Sequence, residues 1–110
     1  MKALKIETDG KIELIEITGD TVDEQDDCIW GILGGYFDIV YLPQSAALLV
    51  NDEGLLMCLP VNLMAMAISG YPILAGTALI VGVEETEDGG IFTDCPAYYA
   101  SFAEKNSVLV

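Results

Sequence analysis

The side chains able to do chemistry in this chain are an unbalanced set. Eighteen Asp and Glu residues stand against four Lys, with no Arg and no His, for a formal net charge of −14. Nine of the carboxylates fall in two segments: Asp20, Asp23, Glu24, Asp26 and Asp27, then Glu84, Glu85, Glu87 and Asp88. Gathered on one face, these groups would form a strongly negative surface suited to a basic partner, and they are the candidate partner-binding residues. As a cation site the first segment is weak, because its spacing does not follow an EF-hand loop. Helix-dipole complementarity explains it with no ligand, and the second segment reads as a solvated loop.

Other chemistry lacks its parts. A Ser or Cys nucleophile wants a base, most often His, and none is present. Lys2, Lys5, Lys11 and Lys105 all lie near the ends of the sequence. Carboxylate pairs for glycosidase-type work could be assembled from any acidic protein, so their presence is uninformative. Gly34-Gly35 lacks the lysine of a phosphate-binding loop. Cys28, Cys58 and Cys95 are odd in number and widely spaced, without a Cys-x-x-Cys motif, so three reduced thiols are expected, Cys58 as a core residue. The chain is therefore expected to be non-enzymatic, with no metal and no cofactor. Direct nucleic-acid binding and anionic membrane surfaces are excluded by the missing basic clusters.

A chain of 110 residues, 53% hydrophobic, fits one domain with a real core. No apolar run approaches the roughly 20 residues that cross a bilayer, and the start of the chain has no apolar signal-peptide region, so a cytoplasmic protein is the expectation. Mean hydropathy of +0.48 is high for a soluble monomer, so either the core is generous or part of the apolar surface faces another subunit in a homo-oligomer.

The elements that must position these residues follow from turn and cap chemistry. Residues 3–7 and 11–18 read as strands around Thr8-Asp9-Gly10, either paired as a hairpin at a sheet edge or set apart in the sheet. Thr21-Val22-Asp23-Glu24 matches a capping box, with Thr21 accepting from the Glu24 N–H and the Glu24 side chain reaching back to the Thr21 N–H. Gly34 ends that helix as its left-handed residue. The centre of the chain, residues 36–62, reads as three consecutive strands: 36–42, apolar on both faces and so central and covered; 46–50; and 55–59, after a turn at Asn51-Asp52-Glu53-Gly54. Asn62 caps a short helix closed by Gly70. Residues 71–76 form a connector over the sheet. Residues 77–84 are the cleanest strand, with Gly82 marking a bulge or a close backbone approach. Residues 85–90 read as a loop, residues 96–105 as a last helix capped by Thr93 or Asp94, and residues 107–110 as a short strand or packed tail. The order ββ-α-βββ-α-β-α predicts an α+β domain with a mainly antiparallel sheet of about five to six strands and two to three short helices.

Gly35, Tyr36, Asn51 and Asn62, with Asp52 and Glu53, form a second candidate site, a small polar pocket at one end of the sheet with Trp30, Tyr36 and Tyr41 as aromatic walls. Turn and cap chemistry for the polar residues, and core packing for the aromatics, are the simpler explanations. A nucleotide-type ligand is conceivable there, though the absence of Arg and His disfavours a phosphate-rich one.

Gly34-Gly35-Tyr36-Phe37, Leu49-Val50-Asn51-Asp52-Glu53-Gly54, Leu59-Pro60-Val61-Asn62 and Gly76-Thr77-Ala78-Leu79-Ile80-Val81-Gly82 occur in one order. That series resembles a small domain of bacteria, phages and plasmids, domain of unknown function 3846, over residues 3–83. Each motif alone is turn chemistry plus an apolar strand; the order is what is specific. The resemblance implies an accessory protein, often of a mobile element, and brings no activity and no catalytic residues. The functional expectation is a protein-interaction or regulatory module, with small-ligand binding as the alternative.

Overall fold

The computed structural model describes residues 1–87 and 89–108, with side chains through residue 104. Asp88 of the second acidic segment, and residues 109–110 of the expected tail, lie outside the described residues. The chain runs β1 (Lys2–Ile6), β2 (Ile12–Glu16), α1 (Val22–Leu33), β3 (Phe37–Leu42), β4 (Ala46–Asn51), α2 (Leu63–Ser69), β5 (Ala78–Thr86), β6 (Gly89–Thr93) and α3 (Ala97–Val108). Every strand pairing is antiparallel, in the order β2-β1-β5-β4-β3, with β6 also on β5. The expected α+β class with a mainly antiparallel sheet is what forms.

Alternation along the two central strands divides the interior. Ala46, Leu48 and Val50 of β4 and Ala78 and Ile80 of β5 face α2 and α3, joining Leu4, Ile6, Ala65 and Tyr99. Ala47, Leu49, Leu79 and Val81 face α1, joining Ala3, Ile17, Ile29 and Leu33. Successive side chains of a strand point to opposite faces, so strands covered on both sides must be apolar at every position. β4 is buried along its whole length.

Local signals fix α1. The Thr21 hydroxyl accepts from the Glu24 N–H at 3.1 Å, and Gly34 closes the helix at φ 82°. The reciprocal half of the capping box is displaced by one residue: the Glu24 carboxylate accepts from the Asp20 N–H, at 3.3 Å, rather than from Thr21. At α2, Asn62 is wholly buried. Its Oδ1 accepts from the Ala65 N–H at 3.0 Å, and its Nδ2 donates to the carbonyls of Ile6 and Gly76, each at 2.9 Å. One side chain thus starts a helix and ties it to β1 and to the approach to β5.

Five expectations are corrected. Residues 55–59 form no strand. They coil through tight turns, Met57 N–H to Glu53 C=O at 2.8 Å and Leu59 N–H to Gly54 C=O at 2.9 Å. β4 has one flank left after pairing with β3, and β5 takes it. β5 has nine residues, several of them Ile, Val or Thr, whereas Leu, Met and Cys are weaker strand formers. Cys58 is consequently exposed, at φ 58°, and not in the core. β3 is an edge strand, with Ile39 and Tyr41 41% and 72% exposed. Residues 85–90 are largely strand: β5 extends to Thr86 and turns back as β6. Ser107 belongs to α3, not to a last strand.

Gly82 sits at a junction. It pairs with Ala46 on one side and Thr93 on the other, while β1 pairs with residues 78–80. β1 and β6 therefore share one flank of β5, end to end. The Cys95 N–H donates to the Lys2 carbonyl, and the Lys2 N–H to Asp94 Oδ1, both at 2.8 Å. Gly82 makes the close approach read from the sequence: a Cβ there would overlap the Asp94 carbonyl oxygen and the Thr93 hydroxyl.

Candidate functional site

Beside Val40 of β3 and Val50 of β4, on the α2 side of the sheet, lie two irregular segments, 52–60 and 71–76. Asn51 anchors the first. Its Nδ2 donates to the Leu33 carbonyl at 3.0 Å, its Oδ1 accepts from the Glu53 N–H at 2.8 Å, and the next residue's N–H donates to the Tyr36 carbonyl at 3.0 Å. The second segment is held by Asn62 N–H to Leu74 C=O and Gly76 N–H to Pro60 C=O, both 2.8 Å, and by the bridge between Val61 and Ala75. Leu74 and Ala75 are buried beneath it.

Between these segments and β3 lies an open groove of about 380 Å³. Val40, Val50, Leu74 and Ala75 form its floor, with Leu55, Leu56, Tyr71 and Ile73 at its walls. Leu56 is 85% exposed, and Leu55, Ile73 and Tyr71 are each about half exposed or more. Asp38 and Asp52 also line it. This is an apolar trough with two carboxylates, and among the described residues no lysine lines it.

The expected polar pocket forms only in part. Gly35, Tyr36 and Asn51 come together, with the Asn51 amide against Gly35 and the Tyr36 ring edge-on to Trp30 at 4.3 Å. Asn62 is elsewhere, and its polar atoms are consumed by the three bonds above. Trp30, Tyr36 and Tyr41 are exposed rather than core residues. Of the expected set Asn51 and Asp52 line the groove; Asp38, Leu55, Leu56, Tyr71 and Ile73 were not singled out. The signal for them was the Tyr71-Pro72 break and the connector over the sheet.

The acidic segments share one end of the sheet. α1 begins beyond Glu16, at the end where β1 starts and β5 runs past Gly82 into Glu84 and Glu85. Its other end meets Asn51. Burial, and the nearby charges of Asp23 and Asp27, push the Asp26 carboxyl above its ordinary value. Lys5 and Lys11 lie toward the other end of β1 and β2: Lys5 is 3.1 Å from Glu13 and 3.7 Å from Glu7, and Lys11 is 4.0 Å from Glu13. Among the described residues no three Cys, Asp or Glu side chains converge as metal ligands would, and no helix is long and apolar enough to cross a membrane.

The thiols differ sharply. Burial pushes Cys95 up to about 11, while Cys58 is exposed. Since the thiolate is the reactive form, iodoacetamide at pH 8 should label Cys58 at least tenfold faster than Cys95, and the Cys95 rate should keep rising toward pH 11. Peptide mass mapping of a time course would show this; equal rates at pH 8 would contradict it.

A sequence profile of one family, domain of unknown function (DUF3846), matches residues 1–104. The chain belongs to the DUF3846 family. The match runs past residue 83, where the motif series read from the sequence fades, through β6 and into α3. No curated protein and no solved structure matches the chain. Membership of DUF3846 therefore carries no activity with it, and the groove must be judged on its own chemistry.

Proposed function

We propose that this DUF3846 domain is a non-enzymatic, cytoplasmic protein-interaction module, an accessory protein whose groove takes an extended segment of a basic partner protein. The observation that carries this is the trough itself, with exposed aliphatic walls and carboxylates at Asp38 and Asp52. Contiguous exposed apolar surface on a soluble domain marks an interaction site. An aliphatic anchor suits the Val40–Val50–Leu74 floor, and a flanking Lys or Arg suits the two carboxylates. Net charge of −14 speeds the approach of a basic partner and repels nucleic acid and anionic membrane. With no His and no Arg, the chain has few means of moving protons at neutral pH.

The test is selection from a random peptide display library. Enriched peptides should pair an aliphatic residue with Lys or Arg. Ile73→Asp, which puts charge on an apolar wall, and Asp38→Lys, which reverses the flank, should each weaken a selected peptide at least tenfold while leaving the thermal midpoint within about 2 °C, as exposed-site changes do. No enrichment, or enriched peptides indifferent to both changes, would defeat this reading. The volume also falls in the small-molecule range. Binding of a nucleotide-type or other small ligand is the second reading, and a thermal-shift metabolite screen with a hit abolished by Ile73→Asp would favour it instead.

A further inference from the structure

We propose that two copies of this chain join edge to edge through β3, in one register, so that the sheet runs continuously across a two-fold axis at Ile39. The phase of the β3–β4 ladder is set by the bond from the Asp52 N–H to the Tyr36 carbonyl. Bonded pairs alternate with non-bonded ones in an antiparallel ladder, so Asp38, Val40 and Leu42 bond inward to β4. The bond from Val83 N–H to Ser45 C=O gives β4 the same phase from its other side. Phe37, Ile39 and Tyr41 are left with N–H and C=O groups pointing away from the sheet, and no other described strand pairs with them.

Natural edge strands are usually blunted by lysine, proline, bulges or short length. β3 has none of these: it is six residues with a single charge, Asp38. The opposite edge, β2, carries Glu13 and Glu16. Charge and bonding together select one register. Centring the axis on Asp38 sets two carboxylates face to face. Centring it on Val40 leaves Phe37 without a partner. Centring it on Ile39 sets Phe37 of one copy against Tyr41 of the other, Ile39 against Ile39, and Asp38 against Val40. Every outward residue then meets an outward residue, and aromatic and β-branched side chains pair across the join. An isologous contact of this kind closes as a dimer. In a chain of net charge −14, this strip is a place where two copies meet without opposing acids, which is why a second copy, rather than an unrelated strand, is the occupant.

Sedimentation equilibrium tests it. The wild-type chain should show a reversible dimer, twice 11.8 kDa, tightening as salt screens the like charges. Ile39→Lys and Ile39→Pro should each weaken it at least tenfold with an unchanged circular-dichroism spectrum. The proline removes only an N–H that points away from β4, and an edge strand tolerates that. Leu56→Lys, in the groove, should leave the dimer intact. In a Cys58→Ser background, Ile39→Cys should crosslink between copies under mild oxidation, since directly opposed residues fall within disulfide reach. A wild-type monomer at all concentrations, a dimer indifferent to both Ile39 changes, dissociation by Leu56→Lys, or a dimer that position 39 fails to crosslink would each overturn it.

Discussion

Replacing Asn62 with Ala should cost the fold about 3–5 kcal/mol, a large share of the roughly 5–15 kcal/mol that keeps a small domain folded. The change takes the Asn62 partner from three buried backbone groups at once: the Ala65 N–H and the carbonyls of Ile6 and Gly76. A buried group that loses a partner cannot recover it from water. Asn62→Asp separates the two roles. It keeps an acceptor for the Ala65 N–H, but turns an oxygen toward two carbonyls that need a donor. It should therefore be at least as damaging as Ala, although Asp is as good a helix cap as Asn at exposed sites. Urea unfolding followed by circular dichroism measures both. A loss under about 1 kcal/mol for the alanine variant would mean that these bonds contribute no more than an exposed cap does.

Gly82→Ala should be nearly as costly, about 3 kcal/mol or more, because the added methyl meets a backbone carbonyl and not the yielding tip of a side chain. The junction where β1 hands over to β6 must open to admit it. The change should therefore loosen the Lys2–Cys95 bond and the β5–β6 hairpin first. Hydrogen exchange should speed up at Cys95 and along β6 by at least tenfold while β3 and β4 stay protected. Gly10→Ala is a useful contrast: its φ of 94° is strained for alanine, but nothing crowds the site. A loss at Gly82 no larger than that at Gly10 would show that the junction yields to the added methyl and that crowding does not set the cost.

What was legible in the sequence was short-range. The Thr21 and Asn62 caps, the Gly34 stop and the alternation through residues 77–84 each state their geometry within a few neighbours, and each formed. What depends on which strand wins a flank was not legible. Residues 55–59 looked like a strand on their own, and nothing within them reveals that a longer, more β-branched segment takes the place beside β4. The same blindness made β3 look central. Apolarity on both faces reads as burial, yet Ile39 and Tyr41 are apolar at an open edge. Of the candidate pocket, Gly35, Tyr36 and Asn51 were joined correctly because the turn after Asn51 folds back on Tyr36. Asn62 was misplaced because its donors reach Ile6, 56 positions earlier, a partnership no local pattern carries.

The position of β1 has a consequence for synthesis. The first strand sits between β2 and β5, capped by Asn62 and held at its start by Asp94 and Cys95. A nascent chain emerging from a ribosome can form the β1–β2 hairpin and α1 early, but must hold that greasy strand unpaired on one side until β5, which starts at Ala78, appears. Half-made chains will thus expose Leu4 and Ile6. The acids crowded behind them, from Asp20 to Asp27, are in place to keep such fragments apart while they wait.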